Sequence, residues 1–249
     1  MTELLYRRAP CLRETPVKVL HSTPECIKTD VTNFYPQGGG QPGDCGWLEW
    51  DGGETSIRTT RKTEDGDNLL IPEDGAMLPP PGTRGLLRLN WDIRYRHMRV
   101  HTALHLLSAV IALPVTGGQI SAEKGRLDFD MPQAPDNRQA LEDRLNALIY
   151  RDLPVSEEWI TEAELAAEPS LVKTMSVAPP IGQGRIRLMR IGMGPDQVDL
   201  QPCGGTHVAR TIEVGQVTLG KIEKKGRQNR RVSLHLAEGT QWESGHPAR

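Results

Sequence analysis

Apolar and polar residues alternate in short runs over the first third of the chain. Pro16-Val17-Lys18-Val19-Leu20, Gly46-Trp47-Leu48-Glu49-Trp50 and Thr55-Ser56-Ile57-Arg58-Thr59 each keep a two-residue period, and Gly, Pro or Asp breaks them apart. Regularly spaced short strands of this kind predict a small β-barrel or sandwich. A stretch from Gly75 to Gly85 containing Pro79-Pro80-Pro81 reads as a linker, and it leads to a last strand over Leu86 to Asn90. The period then changes. Met98, Leu104, Leu107, Val110 and Ile111 recur at helical spacing, predicting a helix from Tyr95 to Leu113 that Pro114 ends.

Beyond it, Gly117 to Ser121 leads into an alternating strand at Gly125 to Met131. Asp136 reads as the cap of an amphipathic helix through Leu141, Leu145, Leu148 and Ile149. A strand near Val155 to Ile160, a short helix at Glu162 to Glu168 and a strand at Arg185 to Ile191 follow. A glycine loop at 203–207 comes next, and two strands, Gln216 to Lys225 and Arg231 to Leu236, close the series. Helices interrupted by strands that end in an adjacent pair predict an α+β fold with a mainly antiparallel sheet. The expected organisation is a β-barrel domain over 1–90 with a glycine-rich loop, then an α+β domain over 91–249.

Composition narrows the class. A chain of 249 residues has room for two cores. Its four cysteines, at 11, 26, 45 and 203, are far apart and form no Cys-x-x-Cys pair, so a reducing compartment, the cytoplasm, is expected. The longest apolar helix is too short and too close to histidines to span a bilayer, so no membrane partner is expected. A net charge of −2 argues against nucleic-acid affinity over the whole surface. It leaves room for one basic run, Lys221, Lys224, Lys225, Arg227, Arg230 and Arg231, as a phosphate-binding patch, although such runs are often only solvated.

The candidate chemistry lies in two segments. His101 and His105, four apart on a helix, project from one face and can grip a single ion. Cys203 and His207 flank Gly204-Gly205, which lets the backbone fold tightly enough for both to converge from the other side. One thiolate and three imidazoles suit zinc. A lone histidine on an apolar helix face is usually packing and a lone cysteine usually a buried thiol, but the two pairs together favour a metal site. A zinc protease is disfavoured, because the helix reads His-Thr-Ala-Leu-His and lacks the glutamate after the first histidine. In the barrel region, Gly38-Gly39-Gly40 carries more glycine than a simple turn requires, which predicts either close approach to the loop by another group or a flexible hairpin tip.

Four motifs occur together in one order: the Phe34-Tyr35-Pro36-Gln37-Gly38-Gly39-Gly40-Gln41 loop, His101-x3-His105, the Arg126-Leu127-Asp128-Phe129 strand and Cys203-Gly204-Gly205-Thr206-His207. Together they resemble the free-standing relatives of the alanyl-tRNA synthetase editing domain, in their medium-length form, over about 17 to 237. The resemblance implies a small elongation-factor-like barrel joined to an α+β editing domain. The chain stops soon after Leu236, so the further C-terminal tRNA-binding domain of the longest members is expected to be missing.

The resemblance also implies the activity, hydrolysis in trans of the ester joining serine, or glycine, to tRNA(Ala). Zn2+ would be the cofactor, held by His101, His105, Cys203 and His207. His101, His105 and Gln41 are the implied catalytic residues. Thr32, Gly38, Gly39, Gly40, Gln119 and Arg126 are the implied substrate contacts, with Thr32 at the position whose hydroxyl distinguishes serine from alanine. Lys224, Lys225, Arg227, Arg230 and Arg231 would meet the tRNA. ATP binding follows from the resemblance alone. Two alternatives stay open: a peptidyl-tRNA or other acyl-ester hydrolase, suggested by Gly39-Gly40-Gln41, and a zinc-stabilised tRNA-binding module without turnover. Oligomeric state is not set by the sequence.

Overall fold

The computed structural model describes residues 2–173 and 184–237. The protein is mostly sheet with few helices, and it divides into two compact units, Met1–Met98 with Gly204–Thr206, and Arg99–Cys203 with His207–Arg249.

In the first unit the strands are β1 (Glu3–Leu4), β2 (Glu14–Ser22), β3 (Ile27–Thr29), β4 (Val31–Thr32), β5 (Gly46–Trp50), β6 (Gly53–Lys62), β7 (Asn68–Pro72) and β8 (Arg84–Leu89). Six of them close a barrel in the order β2-β3-β7-β6-β5-β8, and every pairing in it is antiparallel. The two-residue period has a direct cause: along β2, Thr15, Val17 and Val19 point inward while Glu14, Pro16 and Lys18 point to water. The barrel core is Val17, Val19, Ile27, Phe34, Leu48, Ile57, Leu70, Leu87 and Leu89. The proline stretch read as a linker lies between β7 and β8, two strands of this same barrel.

The glycine loop is a tight turn. Gly38 and Gln41 exchange two backbone hydrogen bonds, of 3.1 and 2.9 Å, around Gly39 (φ 55°) and Gly40 (φ 81°). Positive φ at both central residues of a two-residue turn is the condition that selects glycine, so the turn itself accounts for Gly39 and Gly40. The chain is then pinned by Asp44, which accepts from the Tyr35 amide and forms a fully buried ion pair with Arg94. Arg94 also donates to the carbonyls of Asn33 (2.9 Å) and Pro10 (2.8 Å), so its five N–H donors are largely used inside the unit.

Helix α1 (Trp91–Ile111) starts four residues earlier than its apolar spacing suggested. The Asn90 side chain accepts from the Ile93 amide at 3.3 Å, and Trp91 stacks on Tyr95 with ring centroids 5.6 Å apart. That extra turn puts His101 and His105 in mid-helix rather than near its start.

The second unit adds β9 (Val115–Ile120), β10 (Lys124–Asp130), α2 (Arg138–Tyr150), β11 (Val155–Thr161), α3 (Glu162–Ala167), β12 (Arg185–Ile191), β13 (Asp199–Pro202), β14 (Val217–Leu219), β15 (Glu223–Lys224) and β16 (Asn229–Leu236). One sheet runs β14-β16-β10-β9, with β15 also paired to β16, and a second runs β11-β12-β13; both are antiparallel. The expected continuous strand over 216–225 is interrupted, giving β14 and β15 on either side of Gly220. Helix α2 is capped by Asn137, whose side chain accepts from the Ala140 amide, and not by Asp136. Its buried stripe is Leu141, Leu145 and Ile149, and its polar flank covers the free edge of β14. Asn146 trades hydrogen bonds of 3.0 and 2.9 Å with the Val217 backbone, and Glu142 accepts from the Leu219 amide. An edge satisfied by side chains offers no template for a stray strand. Gly125 lets β10 lie close to α1, since a Cβ there would meet Val100 and Leu104.

Candidate metal centre

Helix α1 delivers two imidazoles from one face, with the rings of His101 and His105 5.2 Å apart. The loop after β13 brings the others. Cys203 is fixed through its backbone: its amide donates to the Arg187 carbonyl at 3.1 Å, and its carbonyl accepts from the Arg187 guanidinium at 3.2 Å. The His207 ring lies 4.2 Å from that of His101 and 4.6 Å from that of His105. The four ligand atoms of His101, His105, Cys203 and His207 all lie within 4.8 Å of one another, and the three histidines are each less than one-tenth exposed.

This set fits a zinc ion. Bond lengths of about 2.3 Å to sulfur and about 2.0 Å to nitrogen give tetrahedral S···N edges of about 3.5 Å. Cys203 Sγ is 3.4 Å from His101 Nε2 and 3.3 Å from His207 Nε2.

A second layer aims the rings. His105 Nδ1 lies 2.8 Å from Asp199 Oδ2, and His207 Nδ1 lies 3.1 Å from the Thr102 hydroxyl, which leaves the Nε2 atoms to face the centre. Charge follows the same geometry. Burial pushes the Cys203 thiol up, but the surrounding imidazoles of His101, His207 and His105 overcome it and hold the thiol well below its ordinary value. His207 is held down to about 3, by burial first and by His101 next. Asp199 is also buried, yet its hydrogen bond with His105 and the charges of His105 and Lys173 bring it down to about 2. The Cys203 thiolate, the neutral His207 imidazole and the Asp199 carboxylate are forms a cation requires, whereas His105 is pushed up, against burial, to about 10 by Cys203 and Asp199, so a metal bound there displaces its Nε2 proton.

The other expected site residues are distributed differently. Gln41 is buried, and both ends of its amide are engaged: Nε2 donates to the Thr206 hydroxyl at 2.8 Å, and Oε1 accepts from the Thr206 amide at 3.1 Å. That arrangement ties the Gln41 side chain to the Thr206 backbone and hydroxyl. Thr32, on β4, is 1% exposed and its hydroxyl accepts from the Phe34 amide at 3.1 Å. Gln119 and Arg126 are joined to each other across β9 and β10, at 3.1 and 3.0 Å, and Arg126 reaches Asp128 at 3.1 Å. Gly125, the residue that meets α1, precedes Arg126, so Arg126 and Gln119 project from the opposite sheet face.

Within the basic run, Arg231 is bound to Asp128 at 2.7 and 2.9 Å and Lys225 pairs with Glu223 at 2.6 Å. Arg230 donates to the carbonyls of Gly226, Asn229 and Pro132. Lys221, Lys224 and Arg227 are exposed.

Sequence reasoning missed Asp199, Lys173, Gln201, Thr102 and Arg187. One signal was present: Asp199, Gln201 and Cys203 keep a two-residue period, as polar residues sharing the inner face of a strand do.

Comparison with known proteins agrees with this geometry. The family described as the threonyl and alanyl tRNA synthetase second additional domain matches residues 186–233, the stretch that contains Cys203 and His207. The chain is 33% identical to the alanyl-tRNA editing protein AlaX-M of Saccharolobus solfataricus, over 93% of this chain and 98% of that one. It is 32% identical to AlaX-M of Methanosarcina acetivorans, over 96% and 100%. Against AlaX-L of Pyrococcus horikoshii it is 32% identical, over 94% of this chain but 58% of the relative. The chain belongs to the family of free-standing alanyl-tRNA editing proteins. Among the described residues, no helix is long and apolar enough to cross a membrane.

Proposed function

We propose that this protein, as a hydrolase of that family, removes a wrong amino acid from tRNA(Ala) in trans by hydrolysing its ester, with serine and glycine as the amino acids removed and zinc as the metal. The observation that carries the reading is the buried cluster of His101, His105, Cys203 and His207, in a chain that matches an alanyl-tRNA editing protein over nearly the whole length of both. We assign the barrel unit and the unit holding the cluster to the barrel domain and the editing domain of this family.

Zinc bound there supplies a Lewis acid that polarises an ester carbonyl or a water. The chain does the rest. His101 and His105 hold fixed positions because a buried helix carries them, and their low exposure keeps bulk water from screening charge. Thr32 is assigned to read the serine hydroxyl, with the Gly38-Gly39-Gly40 turn beside the terminal adenosine. A site built to bond a hydroxyl discriminates by roughly 10⁴ or more against an analogue lacking it, so serine is the principal amino acid removed and glycine the minor one. Lys224 and Arg227, with Lys225, Arg230 and Arg231 around them, are assigned to RNA phosphates. Gln119 and Arg126, in the same sheet as this basic surface, are assigned to the acceptor end and not to the metal.

Single-turnover deacylation of Ser-tRNA(Ala) by the full chain tests the reading. Hydrolysis above the spontaneous rate that stops when a chelator removes the metal supports it. A second reading has one observation in its favour: four protein ligands are the number found in closed, structural zinc sites. A zinc-stabilised tRNA-binding module would bind the same substrate and leave its ester intact.

A further inference from the structure

We propose that Asp199 is the positioning residue of the metal centre, fixing His105 more firmly than His207 is fixed, with Lys173 holding the Asp199 carboxylate. The inference rests on the zinc reading above. Its basis is an account of protons. Asp199 is 2% exposed, and it sits on β13 with Oδ2 2.8 Å from His105 Nδ1 and 2.8 Å from Gln201 Nε2, while Oδ1 pairs with Lys173 Nζ.

Gln201 Nε2 is also 3.1 Å from His105 Nδ1, and distance alone does not assign the donor between them. The rest of the network decides. Ser108 donates its hydroxyl proton to the His105 carbonyl at 2.8 Å, so its oxygen accepts from Gln201 at 3.3 Å. The two amide protons of Gln201 are then committed to Ser108 and Asp199. His105 Nδ1 therefore receives no proton from Gln201 and donates its own to Asp199. The Nε2 lone pair is left for the metal, and the carboxylate raises its basicity.

His207 has a weaker support. Its Nδ1 faces the neutral Thr102 hydroxyl at 3.1 Å, and that oxygen also accepts from the Val208 amide at 3.4 Å. Two imidazoles of one ligand set are thus backed unequally, one by a buried charge and one by a shared hydroxyl.

Zinc affinity, measured by chelator competition on the full chain with no tRNA present, tests this. Asp199→Asn should weaken zinc binding about 10–100-fold, because its amide offers Nδ1–H a donor as readily as an acceptor, and Thr102→Val should weaken it much less. Equal losses in the two variants, or an unchanged affinity in folded Asp199→Asn, would overturn the proposal. Nitrogen-15 spectra of the zinc-loaded wild type give an answer that depends on no variant. His105 should carry a slowly exchanging proton on Nδ1, and a freely exchanging one would count against Asp199. If the wild type itself takes up no zinc, the metal reading fails first, which keeps the two failures distinct.

Discussion

Gln41 and Thr206, 165 positions apart, are joined by a two-point clamp in which one side-chain amide satisfies both the hydroxyl and the backbone N–H of the same residue. Gly204–Thr206 belongs to the barrel unit, while Cys203 and His207, the covalent neighbours of that tripeptide, belong to the other. Gln41→Ala removes both bonds and leaves a buried amide N–H without its acceptor. The expected cost is about 1–3 kcal/mol of stability by chemical denaturation. Because Thr206 adjoins His207, zinc affinity should fall as well. A variant with full zinc affinity and stability but no deacylation would instead give Gln41 a catalytic role.

One zinc per chain is expected in protein purified without chelator. Cys203→Ala should lower metal content and deacylation together, because it deletes the only thiolate among the four ligands. Metal analysis by mass spectrometry reads the first and a deacylation time course the second. Less than half an equivalent in the wild type would speak against the assignment.

The basic surface is expected to divide by role. Lys224→Ala with Arg227→Ala removes two exposed cations and should flatten the salt dependence of tRNA binding by about one to two units of slope. Arg231→Ala should act on the fold instead, because it breaks the bidentate bond to Asp128 and leaves that carboxylate to Arg126. A salt titration of binding paired with a thermal melt separates the two. Identical slopes for wild type and double variant would make the run a solvated face.

Thr32→Val keeps the side-chain shape and deletes the hydroxyl. If that hydroxyl reads serine, hydrolysis of seryl-tRNA should slow by a factor corresponding to about 1–3 kcal/mol, with glycyl-tRNA much less affected. The Phe34 amide also loses its acceptor in this variant, so a loss common to both substrates is the signature of a structural role. The ratio of the two rates, not either alone, is the measurement.

How far the sequence carries depends on the range of the forces involved. The strands at β2, β5, β6 and β8 were legible because a half-buried strand must alternate, and the metal ligands because a helix repeats every four residues and Gly204-Gly205 permits a tight return. These are local rules, and they act within a few residues. The true start of α1 was masked, because Asn90 and Trp91 act there by capping and stacking and not by apolar period. Gly39 and Gly40 were visible as unusual, yet only the backbone angles showed that a tight turn explains them.

What the tertiary structure alone decided is the pairing of polar groups. Nothing local to Asp199 says that its carboxylate will meet His105, nor to Gln41 that its amide will close on Thr206, nor to Asp44 that Arg94 will be buried with it. Each is a long-range match, made because a polar group withdrawn from water must find a partner wherever the fold provides one. The sequence by itself determined which residues could bind a cation. The folded chain determined how each is held, because hydrogen-bond partners are assigned by proximity in space, and that proximity exists only once both segments are in place.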